Sequence, residues 1–168
     1  MEDVFIGFGS NMGDPVARVR EALTRLLSFP LLERVRVSSL YRTEPVGFEA
    51  QEWFVNGAAW LRSGSSPREL LGRLLQIERE MGRVRHMPGG RRVIDLDLLL
   101  YGSFILDEED LRVPHPRMHQ RRFVLEPLCE IAPDVIHPVL GKTARTLLQE
   151  LRDAKAVEWI GNWEAMPC

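Results

Sequence analysis

The sequence predicts an α+β domain, and three observations carry that expectation. Apolar patterns follow one another in the order strand, helix, strand, strand, helix, strand. Both helices in that series open on explicit capping chemistry, and no linker, repeat or low-complexity stretch interrupts the chain. The order is the split βαβ arrangement of a ferredoxin-like βαββαβ core, here with a C-terminal extension packed onto the sheet. At 168 residues the chain is read as one domain, 1–168.

The first strand is Val4-Phe5-Ile6, closed by what reads as a glycine-rich turn with Gly7, Gly9 and Gly13. Asp14-Pro15 is an N-cap followed by proline at the first helical position. Val16, Val19, Leu23, Leu26 and Leu27 follow at helical spacing, and Pro30 lies past the end. Alternation of Val35, Val37, Ser39 and Tyr41 with Arg36, Ser38 and Leu40 predicts one strand of about eight residues. A turn-rich stretch, 43–51, leads to a third strand over 54–61. Ser66-Pro67-Arg68-Glu69 is a capping box, and Leu70, Leu71, Leu74, Ile77 and Met81 give the helix a buried stripe ended by Gly82. A polar loop precedes a fourth strand, 93–101. Thr143 is read as the cap of a final helix with Leu147, Leu148 and Leu151 on one side.

Composition excludes several classes. Hydrophobic residues make up 45% and charged residues 27%, so the chain is not disordered. No run approaches the length of a membrane span, and MEDVFIGFGS carries no secretory signal. A net charge of −2 argues against nucleic-acid binding. Cys129 and the terminal Cys168 make no disulfide framework, and a cytoplasmic location is expected. Twenty of the 22 basic residues are arginine, the exceptions being Lys142 and Lys155. Base composition of the gene would produce the excess but not its clustering. Arg79, Arg83, Arg85, Arg91 and Arg92 form one group and Arg112, Arg117, Arg121 and Arg122 another. Arginine is the bidentate donor for phosphate oxygens, so a near-neutral chain with two such clusters points to a small anionic ligand.

Neither common nucleotide motif is present. Gly7, Gly9 and Gly13 have the wrong spacing for a dinucleotide fingerprint, and Gly141-Lys142-Thr143 lacks the earlier glycine of a P-loop, Ile136 standing there. The strongest signal is Ile94-Asp95-Leu96-Asp97-Leu98-Leu99-Leu100. On a strand Asp95 and Asp97 share a face, with backbones about 6.5–7 Å apart, while Leu96, Leu98 and Leu100 face a core. Two adjacent carboxylates are either incidental acids on an exposed face or a magnesium platform, and the flanking arginines favour the second, a site for polyphosphate. Phe54 and Asn56 also share a face. The phenyl ring alone reads as core, but a strand-centre amide beside it needs a partner, which a flat heterocycle with polar edges would supply. His115, in Val113-Pro114-His115-Pro116, is a rigid turn residue or a ligand contact.

Four segments in order resemble one family. They are Gly9-Ser10-Asn11-Met12-Gly13-Asp14; Ser39-Leu40-Tyr41-Arg42-Thr43-Glu44-Pro45-Val46-Gly47 with Phe54-Val55-Asn56; Gly82-Arg83-Val84-Arg85 with Arg92-Val93-Ile94-Asp95-Leu96-Asp97; and Val113-Pro114-His115-Pro116 with Arg121-Arg122-Phe123-Val124-Leu125-Glu126-Pro127-Leu128. Together they resemble the 6-hydroxymethyl-7,8-dihydropterin pyrophosphokinases of folate biosynthesis, from about residue 3 to about residue 150. The resemblance implies a monomer that moves the β,γ-pyrophosphate of ATP onto the pterin hydroxymethyl group. It implies two Mg2+ ions on Asp95 and Asp97, and a pterin held by Phe54, Phe123, Asn56 and the chain around Thr43, Glu44 and Val46. It further implies ATP contacts from Arg83, Arg85, Arg92, Leu98, Arg112, His115 and Arg121, with Arg83, Arg92, Asp95 and Asp97 serving catalysis. The chain departs from the family where a mobile loop commonly carries tryptophan, glycine, proline and arginine. Here Gly89-Gly90-Arg91-Arg92 stands instead, and the expected loop closure lacks an aromatic contact. Two rival readings exist: an RNA-recognition domain, disfavoured by Asp-Leu-Asp on a central strand, and a metal-dependent phosphohydrolase using the same acids.

Overall fold

The computed structural model describes residues 1–44, 52–82, 93–153 and 155–164. Ten strands, β1 (Glu2–Ser10), β2 (Leu32–Val37), β3 (Ser39–Thr43), β4 (Phe54–Ser63), β5 (Asp95–Tyr101), β6 (Leu106–Asp107), β7 (Arg112–Val113), β8 (Ile136–His137), β9 (Lys142–Thr143) and β10 (Val157–Asn162), are described. Interspersed among them are helices α1 (Pro15–Leu27), α2 (Pro67–Glu80), α3 (Arg122–Ile131) and α4 (Ala144–Glu150). The main sheet runs β10-β3-β4-β1-β5, with β2 also paired to β4, and every pairing in it is antiparallel. Two short ribbons, β6-β7 and β8-β9, stand outside it.

The helix starts follow their caps. Asp14 Oδ1 accepts from the Ala17 N–H at 3.2 Å. Ser66 Oγ accepts from Glu69 N at 3.2 Å while the Glu69 carboxylate accepts from Ser66 N, completing the capping box. Thr143 Oγ1 accepts from Thr146 N at 3.1 Å. Gly82 takes φ +84°, the left-handed conformation that lets the chain leave α2. On one sheet face, Val4, Ile6 and Phe8 of β1 meet Val19, Leu23 and Leu26 of α1 and Leu70, Leu74 and Ile77 of α2. On the other face, Phe5, Ala58 and Leu100 meet Val124, Leu125 and Leu128 of α3 and Leu147 of α4.

Several expectations are corrected. Gly7 and Gly9 lie inside β1, not in a turn, because β1 pairs on both sides through Ser10 on β4 and Gly9 on β5. The single strand of eight residues is two strands broken at Ser38. There the Ser38 hydroxyl accepts from Ala58 N at 2.9 Å, a side chain replacing a backbone acceptor. The fourth strand begins at Asp95. Leu100 does not share a face with Leu96 and Leu98. Phe5 pairs with Leu100 and Ile6 with Leu98, so Leu99 is a bulge that reverses the alternation. Leu151 ends the last helix as its C-cap. The C-terminal extension also supplies α3 and the edge strand β10, neither of which periodicity revealed.

Gly72 is exposed in the interior of α2, and a Cβ there would meet nothing within 4 Å. Gly72→Ala is therefore expected to raise stability by about 0.5–1 kcal/mol, read from chemical denaturation at unchanged slope.

Candidate active site

The second sheet face is built in rows, of which the one holding Ala58 lies at the cover of α3 and α4. Asn56 of β4, Gly9 of β1 and Asp95 of β5 are paired neighbours, and Ala58, Gly7 and Asp97 form the next row. Paired residues on neighbouring strands share a face, so Asn56 and Asp95 look out on the same side, two strand spacings or about 10 Å apart. Phe54 lies two residues before Asn56 on that face and is paired with Thr43 of β3. The Asn56 amide Nδ2 donates to Thr43 Oγ1, and both residues are buried. Glu44 continues the β3-β10 pairing. Its N–H donates to the Ala156 carbonyl at 3.2 Å and its carboxylate accepts from Ala156 N at 2.8 Å. Phe123, in the first turn of α3, is half-buried against the second core, with the Arg121 guanidinium 5.4 Å from its ring centroid.

Beside β5 lies a cleft of about 390 Å³ whose walls include Asp95, Asp97, Leu98, Arg112, His115 and Glu78. Five of these six were expected from sequence to meet ATP or metal, although they come from β5, β7 and the turn after it. Arg68 fastens the rim, donating to both carboxylate oxygens of Asp110 at 3.0 and 3.1 Å and to Glu108 at 2.6 Å. Arg112 pairs with Asp107 at 3.3 Å. Val46, Arg83, Arg85, Arg91 and Arg92 lie outside the described residues, as do Gly89 and Gly90 of the expected lid.

Two residues escaped the sequence reading. Glu78 is 3% exposed on the inner side of α2, and its carboxylate accepts from Leu96 N at 3.0 Å. β5 is an edge strand, and this bond occupies an N–H that the ladder leaves outward, between the two aspartates. Its signal was a glutamate at the stripe position four residues after Leu74. The other is Gly9. A Cβ there would collide with Asn56 Oδ1 and stand 3.2 Å from its Cγ. Its signal was the alternation of Val4, Ile6 and Phe8 with Gly7 and Gly9, which marks one face of a strand kept clear of side chains.

The two aspartates are half-buried hard oxygen donors. Among the described residues no group of three or more His, Cys, Asp or Glu could hold a metal alone. That donor set fits Mg2+, which takes one or two carboxylates and completes its shell with water and substrate phosphate.

The His115 N–H donates to the Leu99 carbonyl at 2.8 Å, holding the turn against β5. Its Nδ1 accepts from Arg117 N at 3.1 Å, which leaves Nε2 as the N–H donor of the neutral ring. Burial lowers the His115 pKa, and Arg121 and Arg117 lower it further against the opposing pull of Asp95. A depressed imidazole pKa favours the neutral ring in the folded state. Its contribution to stability is complete above the ordinary value of 6.5 and is lost as pH falls through 6.5 toward the folded value. Proton NMR should place the His115 midpoint below 6.5, with Arg121→Ala moving it up and Asp95→Asn moving it down.

A profile of the family described as 7,8-dihydro-6-hydroxymethylpterin-pyrophosphokinase matches residues 5–133. The 2-amino-4-hydroxy-6-hydroxymethyldihydropteridine pyrophosphokinase of Bacillus subtilis is 44% identical over 131 residues, 78% of each chain. That of Haemophilus influenzae is 38% identical over 94% of this chain and 98% of its own. The folic acid synthesis protein fol1 of Pneumocystis carinii is 36% identical over 90% of this chain, which spans only 20% of that longer protein. A crystal structure of Plasmodium falciparum HPPK-DHPS, at 15% identity, superposes with a TM-score of 0.72 over 89% of this chain and 45% of its own, a likeness of fold. The profile match and the bacterial relatives place this chain in the 7,8-dihydro-6-hydroxymethylpterin-pyrophosphokinase family.

Proposed function

We propose that this protein transfers the β,γ-pyrophosphate of ATP to the hydroxymethyl group of 6-hydroxymethyl-7,8-dihydropterin, giving the pterin diphosphate and AMP, in folate biosynthesis. The observation that carries the reading is the row Asn56, Gly9, Asp95. It sets an amide suited to a heterocycle about 10 Å from a carboxylate suited to a metal-bound polyphosphate, with a glycine between them. A pterin on Asn56 between Phe54 and Phe123 would direct its hydroxymethyl arm toward the phosphates across Gly9. Asp95 and Asp97 would hold two Mg2+ ions, which supply charge neutralisation to the triphosphate when bound. His115 offers an Nε2–H to a phosphate oxygen, and Arg121 supplies positive charge from the same side. Arg83, Arg85 and Arg92 complete the triphosphate site in this reading, and Leu98 and Arg112 flank the nucleotide.

The acceptor hydroxyl attacks the β-phosphorus in line, the bond from that phosphorus to the oxygen bridging it to the α-phosphate breaks, and AMP leaves. Electrostatic stabilisation and positioning dominate such a transfer, and no side chain is assigned as general base. We read the core as ferredoxin-like. The order β3-β4-β1-β5, with α1 and α2 against one face, supports this. The protein acts as a cytoplasmic monomer on small molecules. No helix among the described residues is long and apolar enough to cross a membrane.

The assay that tests the function follows nucleotide products with and without the pterin. AMP formed in step with pterin diphosphate supports it, whereas inorganic phosphate released without acceptor identifies a phosphohydrolase. Asp97→Asn and Asp95→Asn should each abolish turnover while the fold survives, because neutralising one of two adjacent carboxylates removes like-charge repulsion. Chelation should stop the reaction and added magnesium restore it. Phe54→Ala should weaken pterin binding by about 1–3 kcal/mol, by analogy with aromatic stacking on bases, with ATP binding nearly unchanged by calorimetry. Equal weakening of both substrates would mark Phe54 as a core residue.

A further inference from the structure

We infer that Gly9 and the Thr43 hydroxyl are positioning residues that set the orientation of the Asn56 amide, and with it the donor and acceptor polarity of the heterocycle pocket. The inference rests on the pterin reading above and extends it to two groups that need make no contact with the ring through their side chains. Asn56 is 8% exposed at the centre of the sheet, where an amide free to rotate would present donor and acceptor interchangeably. Thr43 Oγ1 takes one Nδ2 proton, so the nitrogen end of the amide is turned toward β3. Oδ1 is thereby turned the other way, over β1, and the residue beneath it is Gly9. Only a residue without a Cβ leaves that oxygen room, since any side chain at position 9 would collide with it. The two devices act on opposite ends of one amide: a hydrogen bond selects the rotamer, and an absent methyl group permits it.

A pocket that presents a fixed acceptor and one remaining N–H discriminates strongly against a ring whose edge lacks the matching groups, because buried polar atoms would then be left unpaired. Positioning through Asn56 also predicts a pattern of coupling. Gly9→Ala forces the amide out of its rotamer, but in the Asn56→Ala background no amide remains to displace. Gly9 is a paired strand residue whose φ is not in the left-handed region, so alanine imposes no left-handed strain there.

The experiment measures binding of 6-hydroxymethyl-7,8-dihydropterin and of a non-hydrolysable ATP analogue with Mg2+ by calorimetry. The proteins are the parent, Gly9→Ala, Thr43→Val, Asn56→Ala and the Gly9→Ala/Asn56→Ala pair. Gly9→Ala and Thr43→Val should each weaken the pterin roughly tenfold, the scale of one misdirected hydrogen bond, and leave the nucleotide within about twofold. The pair should match Asn56→Ala alone, a non-additive result that a general loss of folding would not produce. If Gly9→Ala fails to fold, Thr43→Val, which keeps the shape and removes the acceptor, decides the matter. Additive losses in the pair, or Thr43→Val binding pterin as tightly as the parent, would overturn the inference while leaving the function standing. A parent protein that binds nucleotide but not pterin would overturn the proposed function and this inference with it.

Discussion

The site depends on one constraint, that the central strand β1 carries no side chain at two successive positions of one face. Gly7 and Gly9 lie between β4 and β5, each paired on both sides. Had Gly9 borne a large side chain, the Asn56 amide on β4 would be walled off from Asp95 on β5, while the space over Gly7 is taken by the Leu99 side chain, 3.4 Å from where a Cβ would stand. With glycine at position 9, two half-sites on different strands become one trough. The cost is modest per residue, since glycine weakens a strand through backbone entropy and lost packing. The opposite face compensates with Val4, Ile6 and Phe8 packed beneath both helices. Gly57 contributes similarly from below, since a Cβ there would strike the Phe8 ring.

Charge is distributed to suit this trough. Asp95 and Asp97 stand where the apolar cover of α3 and α4 stops, half-buried and side by side. Mutual repulsion of carboxylates is unfavourable for folding, and under the proposed function the same charge would serve to capture a metal-bound polyanion, a common conflict at functional sites. Among the described residues the edge of β5 is closed on its outer side without a further strand of the main sheet. Glu78 accepts from the Leu96 N–H, and the His115 backbone N–H donates to the Leu99 carbonyl. Those two bonds hold the strand that carries the aspartates and at the same time bring a buried carboxylate and a neutral imidazole to the cleft. The bulge at Leu99 completes the arrangement. It lets β5 present acids to the trough at one end and Leu99 and Leu100 to the second core at the other.

Sequence by itself determined much of this protein. Capping chemistry is local, so Asp14-Pro15, the Ser66 box and Thr143 marked three helix starts that the structure keeps. Strict alternation is also local, so the shared face of Asp95 and Asp97, and that of Phe54 and Asn56, were legible before any fold was known. Four short segments in order identified the family. What only the tertiary structure decided involves pairing between distant strands. Gly7 and Gly9 read as a turn because glycine favours turns when nothing else is known; they are strand residues because β4 and β5 satisfy their backbone on both sides. The reversal at Leu99 is a mismatch of register between two strands and leaves no mark in either alone. Neither does the break at Ser38, where a hydroxyl substitutes for a carbonyl of the ladder. Helix α3 escaped because Pro127 in its interior disguised the pattern, and β10 because an edge strand needs only the partner that pairs with it. Alternation and capping act within a few residues of chain, whereas register, bulges and cleared faces come into being only when separate segments meet.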